Sequence, residues 1–161
     1  MRELSLHFCK SIIEKSGGRM PDQDTIRILI IDDDVEFAGV LRMHLIAAGY
    51  AAEVAEDAVE GGKALLAQPP ALVLCDIGMP HLNGLELLSL MQSDPRSASI
   101  PVVFISGRSD SDTVIRAVEL GAADFLAKPV TREQLLQTVE TCLRKGGRKA
   151  VLPNYGFPPV V

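Results

Sequence analysis

Residues 73–88 read VLCDIGMPHLNGLELL, and the order of residue types in them sets the class of fold. Val73-Leu74-Cys75 is apolar without alternation, as in a strand covered on both faces. Asp76 stands where that strand should end. Met79-Pro80 stops regular structure and Asn83-Gly84 is a turn signal. A helical apolar pattern follows: Leu85, Leu88 and Met91, with Leu87 and Leu90. In open parallel sheets, ligands bind beyond the carboxyl ends of the strands. A carboxylate at that place is either a cap for the following loop or helix or a functional group, and this stretch alone leaves both open.

The same order recurs on either side. Ile28-Leu29-Ile30-Ile31 is a β-branched run that ends in Asp32-Asp33-Asp34. Phe37, Leu41 and Leu45 then step by four, and Gly49 closes that helix. Tyr50 to Ala55 is a weaker strand. Asp57, with Glu60 three residues on, starts a helix through Leu65-Leu66 that Pro69-Pro70 stops. After the Asp76 unit, which Asp94-Pro95 ends, Val102-Val103-Phe104-Ile105 runs to Ser106-Gly107. A helix with Val114, Ala117 and Val118 leads to Gly121. Asp124-Phe125-Leu126-Ala127 is the last strand and ends at Lys128-Pro129. Thr131 with Gln134 is a second capping box, and Leu135, Val139 and Cys142 line one face of the last helix. Five strand–helix units of this kind predict an α/β fold, a doubly wound five-stranded parallel sheet with helices on both faces.

These units span residues 26–145. Residues 1–25 differ from them. Leu4, Phe8 and Ile12 have helical spacing and Ser16-Gly17-Gly18 and Pro21-Asp22 read as a linker, but a disordered extension is the favoured reading; Met20 is an alternative start. Residues 146–161 form a tail, basic and then Pro-rich, with Tyr155 and Phe157; it reads as a solvated tail or a docking arm.

Composition narrows the function classes. The chain has 161 residues, 47% apolar and 23% charged, enough for one globular domain with a sizeable core. A formal charge of -5 argues against a nucleic-acid-binding face. No window is apolar over the roughly 18 residues that a membrane helix needs. The three cysteines, Cys9, Cys75 and Cys142, are odd in number and far apart, which predicts reduced thiols in a cytoplasm.

The strand ends carry the chemistry. The first offers Asp32 and Asp33, the third Asp76, the fourth Ser106 and the fifth Lys128. A parallel sheet brings all of them to one edge. Two unit charges at 4 Å repel by roughly 4 kcal/mol at an effective dielectric near 20, and Lys128 supplies only one positive charge. A hard divalent cation is the remedy, and magnesium suits carboxylate oxygens combined with a phosphate. Such a site fits phosphoryl transfer. A carboxylate attacks phosphorus without a general base, Lys128 neutralises phosphoryl oxygens, and the Ser106 hydroxyl hydrogen-bonds one of them. Gly107 keeps access open.

In combination these residues resemble the receiver domain of two-component response regulators. The shared motifs are an acidic pair after the first strand, D-x-x-M-P-x-x-x-G from Asp76 to Gly84, Ser/Thr after the fourth strand and Lys-Pro after the fifth. The resemblance implies a flavodoxin-like sheet of order 2-1-3-4-5. It implies Asp76 as phosphoacceptor from a histidine kinase or histidine phosphotransfer protein. It implies magnesium held by Asp32, Asp33, Asp76 and the Gly78 backbone carbonyl, with Ser106, Gly107 and Lys128 sensing the phosphate. Phe125 matches the family's switch aromatic but lacks a hydroxyl, and core packing is its other reading. Gly78 stands where the family often has a bulkier polar residue that tunes dephosphorylation. Asp34 is then the cap of the first helix.

No output domain fits into the tail, so a single-domain regulator is expected. It would signal through the surface of residues 112–144 to a protein partner or a second copy, with no nucleic-acid or membrane partner. It would catalyse only its own phosphorylation and dephosphorylation. Two rivals remain. A haloacid-dehalogenase-like phosphatase would use Asp32-x-Asp34, Ser106 and Lys128, but leaves Asp76, Met79, Pro80 and Gly84 unexplained. A receiver-shaped binding module would never be phosphorylated at all.

Overall fold

The computed structural model of the protein describes residues 25–107 and 110–145. The expectations for the N-terminal helix and linker, and for the Pro-rich tail, lie outside these residues. The elements alternate: β1 (Arg27–Ile31), α1 (Val35–Ala47), β2 (Ala51–Ala55), α2 (Ala58–Ala67), β3 (Leu72–Asp76), α3 (Gly84–Ser93), β4 (Val102–Ser106), α4 (Ser111–Glu119), β5 (Asp124–Ala127) and α5 (Arg132–Arg144). The strands form one parallel sheet in the order β2-β1-β3-β4-β5. This is the doubly wound α/β fold and the 2-1-3-4-5 order expected above.

Alternation along each strand divides the core in two. Ile28, Ile30, Leu72, Leu74, Val103, Ile105 and Leu126 meet α1 and α5 on one face. Leu29, Ile31, Val73, Cys75, Phe104 and Phe125 meet α2, α3 and α4 on the other. Both sides of β1, β3 and β4 are thus dry, which is why their sequences show no polar alternation. β2 is an edge strand and only its last residue, Ala55, is buried, which accounts for its weaker pattern.

Short side chains start every helix. Asp34, Asp57, Asn83, Asp110 and Thr131 are the N-caps of α1 to α5, each accepting an N–H from three residues on. Thr131 and Gln134 form the complete reciprocal box. At α2 the return bond is displaced: the Glu60 carboxylate accepts from the N–H of Glu56, one residue before the cap. Gly49 follows α1 with φ +97, a left-handed conformation that glycine adopts freely.

Three sequence expectations shift. Asn83-Gly84 is not a turn: Asn83 caps α3 and Gly84 is its first residue. Leu90 belongs to the exposed side of α3, whose core face is Gly84, Leu87, Leu88 and Met91. Phe37 is half-buried, and α1 seals the core with Ala38, Leu41 and Leu45 instead.

Candidate functional site

The carboxyl edge of the sheet gathers the polar strand ends. Asp32 follows β1 directly, and its N–H donates to the Ala55 carbonyl at 3.1 Å, which extends the ladder to the edge. Asp76 is the last residue of β3 and lies in register with Ile105 of β4. Ser106 ends β4, and the Lys128 N–H donates to its carbonyl at 2.9 Å. This bond docks the β5 end beside β4 and sets the root of the Lys128 side chain. From there the ammonium reaches back across the edge.

Lys128 Nζ lies 3.2 Å from Asp32 Oδ2 and 3.8 Å from Asp76 Oδ2. Asp32, Asp33 and Asp76 each present a carboxylate oxygen, and these lie within 4.8 Å of one another. Asp32 is buried and Asp76 nearly so (2% and 8% exposed), whereas Asp33 is open to solvent. Asp32 Oδ1 accepts the N–H of Asp34 at 2.9 Å, and Asp76 Oδ1 accepts that of Gly78 at 3.4 Å. Ser106 is buried; Gly78 and Gly107 are exposed, with open space where a Cβ would stand.

The electrostatics follow from burial. Desolvation lifts the Asp32 carboxyl above its ordinary value near 3.8; the Asp34 N–H opposes this, the charge of Asp76 adds to it, and Lys128 opposes it. The donor set therefore fits a hard cation: three carboxylates on one edge, one of them costly to ionise, with a single ammonium between them. Burial first, then the charges of Asp76 and Asp32, holds the Cys75 thiol far above its usual range, so it is not a nucleophile. Cys142 is pushed up to about 11, chiefly by burial. Cys75 and Cys142 are both free thiols.

A stability prediction follows from Asp32. Its raised value means that the folded chain holds that proton more tightly than the unfolded chain does. The stabilisation is complete below the unfolded value, disappears as pH rises through the raised folded value, and is absent at neutral pH. Asp32→Asn should therefore raise the urea midpoint at pH 7 in the presence of chelator, since the amide oxygen still accepts from Asp34. An unchanged or lowered midpoint would contradict the desolvation account.

Asp32, Asp33, Asp76 and Lys128 meet as expected, and Ser106, Gly78 and Gly107 stand on the same edge. Asp34 is drawn away from the cluster to cap α1, its side chain accepting from the Phe37 N–H at 3.1 Å. The phosphatase reading thereby lacks its second carboxylate. Phe125 lies buried in the core on the α2, α3 and α4 side, in register with Phe104.

Two contacts were not read from the sequence, although Gly84 closes the D-x-x-M-P-x-x-x-G motif. The Phe37 ring lies over Lys128, with Nζ 4.4 Å from its centroid, and nothing local signals that contact. Gly84 lets the start of α3 touch the end of β3: a Cβ there would fall 2.5 Å from the Asp76 carbonyl oxygen. The Asn83-x-x-Glu86 pattern was the available signal for that helix start, with Asn83 Oδ1 accepting from the Glu86 N–H at 2.9 Å.

The model of the family described as "Response regulator receiver domain" matches residues 28–140. Among curated proteins, the DNA-binding dual master transcriptional regulator RpaA of Synechocystis is 32% identical over 76% of this chain and 51% of its own length. The chain spans about half the length of the first curated relatives it matches (51%, 53% and 52%). Among solved structures, a CheY-like receiver domain protein from Methanospirillum hungatei is 27% identical with TM-score 0.72, covering 76% of this chain and 97% of that one. The receiver domain of NtrX from Brucella abortus is 32% identical with TM-score 0.68, covering 73% and 98%.

Proposed function

The chain belongs to the response regulator receiver family, and from that premise we propose that Asp76 is its phosphoacceptor. One observation carries the reading: the Asp76 carboxylate ends the central strand 3.8 Å from the Lys128 ammonium, inside a group of three carboxylates. The donor is the phosphohistidine of a histidine kinase or a histidine phosphotransfer protein. An Asp76 oxygen attacks phosphorus in line, the oxygen–phosphorus bond forms as the phosphorus–nitrogen bond breaks, and the imidazole leaves with its electron pair. Lys128 shifts from the carboxylates towards the phosphoryl oxygens. The Ser106 hydroxyl donates to one of those oxygens from the neighbouring strand end, and Gly107 leaves room for it. Asp32, Asp33, Asp76 and the Gly78 carbonyl hold magnesium, which when bound neutralises phosphoryl charge. Hydrolysis of the acyl phosphate resets the switch, and open space at Gly78 admits water to it.

The output surface on this reading is residues 112–144, comprising most of α4, β5 and α5, presented to a protein partner or a second copy. Phe125, buried at the base of that surface, is its switch aromatic. No helix among the described residues is long and apolar enough to cross a membrane. We place the regulator in the cytoplasm, where its thiols stay reduced. The chain should take label from radiolabelled acetyl phosphate with magnesium as a hydroxylamine-labile acyl phosphate, and chelator should abolish the uptake. Label at full rate in excess chelator would overturn the metal assignment, and no label under any condition would overturn the phosphoacceptor.

A further inference from the structure

We propose that Phe37 is a positioning residue for Lys128: its ring covers one side of the ammonium and keeps it aimed between Asp32 and Asp76. This rests on the reading of Lys128 as the group that receives the phosphoryl oxygens. Lysine has a flexible four-carbon stem, and a bare ammonium on it loses aim readily. Here Nζ has the two carboxylates at 3.2 and 3.8 Å and the ring centroid at 4.4 Å. The face of an aromatic ring attracts a cation without carrying a charge of its own. It therefore steadies the ammonium without competing for it when a phosphoryl group arrives, as a further carboxylate would.

The backbone ties these parts into one unit. The Asp34 carboxylate accepts the Phe37 N–H at 3.1 Å, and the Asp34 N–H donates to Asp32 Oδ1 at 2.9 Å. One capped turn thus sets the ring and the carboxylate that share Lys128. Phe37 also packs against the α1 and α5 side of the core. A simple packing role must therefore be separated from a role towards the cation.

Ring fluorination separates them, because it weakens the negative face while nearly keeping size. The full chain is prepared with Phe37, with 4-fluoro-, 3,5-difluoro- and 3,4,5-trifluorophenylalanine at that position, and as Phe37→Leu and Phe37→Trp. In protein free of phosphodonor and divalent cation, the Lys128 ε-methylene protons should show a ring-current shift that Phe37→Leu removes. With magnesium and acetyl phosphate, the labelling rate should fall stepwise with fluorination, by about threefold to tenfold in all, the scale of a partly exposed cation–π contact. Phe37→Trp should keep the rate. A rate that falls for Leu but stays flat along the fluorinated series, or no ring-current shift at Lys128, overturns Phe37's role alone. Absence of label in the unsubstituted chain overturns the phosphoacceptor reading, and this proposal with it.

Discussion

Asp76→Asn is expected to bring acyl-phosphate formation down to background. The amide keeps the shape of the carboxylate, and its oxygen still accepts the Gly78 N–H that Asp76 Oδ1 accepts at 3.4 Å. It has no anionic oxygen to attack phosphorus. Asp32→Asn should weaken labelling, by removing one of the carboxylates proposed to hold magnesium, yet leave a hydroxylamine-labile product. The pair of variants also separates the two kinds of chemistry considered for this chain. A phosphatase using Asp32 would show the opposite pattern, with label lost at position 32 and retained at 76. Mass spectrometry of the trapped hydroxamate would locate the modified residue.

Gly84→Ala is expected to destabilise the fold by about 1–3 kcal/mol, the usual cost of overpacking a tight site. The new Cβ would stand 2.5 Å from the Asp76 carbonyl oxygen, 3.0 Å from Phe104 Cε1 and 3.1 Å from Ile77 Cα. Two of these atoms are backbone, and the third belongs to a ring that is fully buried. None can retreat cheaply. Helix propensity favours alanine over glycine by roughly 1 kcal/mol in a helix interior, less than the overlap costs. Gly61 is a second tight site, but against a side chain alone: a Cβ there would come 2.5 Å from Ile31 Cδ1, 2.9 Å from its Cγ1 and 3.3 Å from its Cγ2, in a fully buried residue. Gly61→Ala should therefore destabilise as well, and less than Gly84→Ala because no backbone atom has to move. Urea denaturation of both variants checks the order, and a Gly84→Ala variant as stable as the parent would refute the close approach of α3 to β3. Any residual displacement of the Asp76 backbone should also slow labelling.

Much of this architecture was legible residue by residue. Helix starts are local events: Asp34, Asp57 and Thr131 each bond within three residues of themselves. Strands buried on both faces announce themselves by unbroken apolar runs, as in Ile28–Ile31 and Val102–Ile105. The edge strand β2 and the misread Asn83-Gly84 show where that legibility fades. A half-exposed strand has no strong pattern, and the same asparagine serves a turn or a cap until its third neighbour is known to be helical.

Residue order alone sets the kind of chain this is: five strand–helix units, an acid at the end of the third strand, and a hydroxyl and an ammonium at the ends of the fourth and fifth. Residue type and spacing carry that much, because backbone hydrogen bonding and the burial of apolar side chains act over a few residues at a time. The packed fold was needed to bring oxygens of Asp32, Asp33 and Asp76 within 4.8 Å of one another. It also laid Phe37 over Lys128 and pressed Gly84 against the Asp76 carbonyl. Each of those contacts joins separate elements, and its geometry depends on how two of them pack. Packing is settled by the shape of the whole core, which no short window of sequence contains.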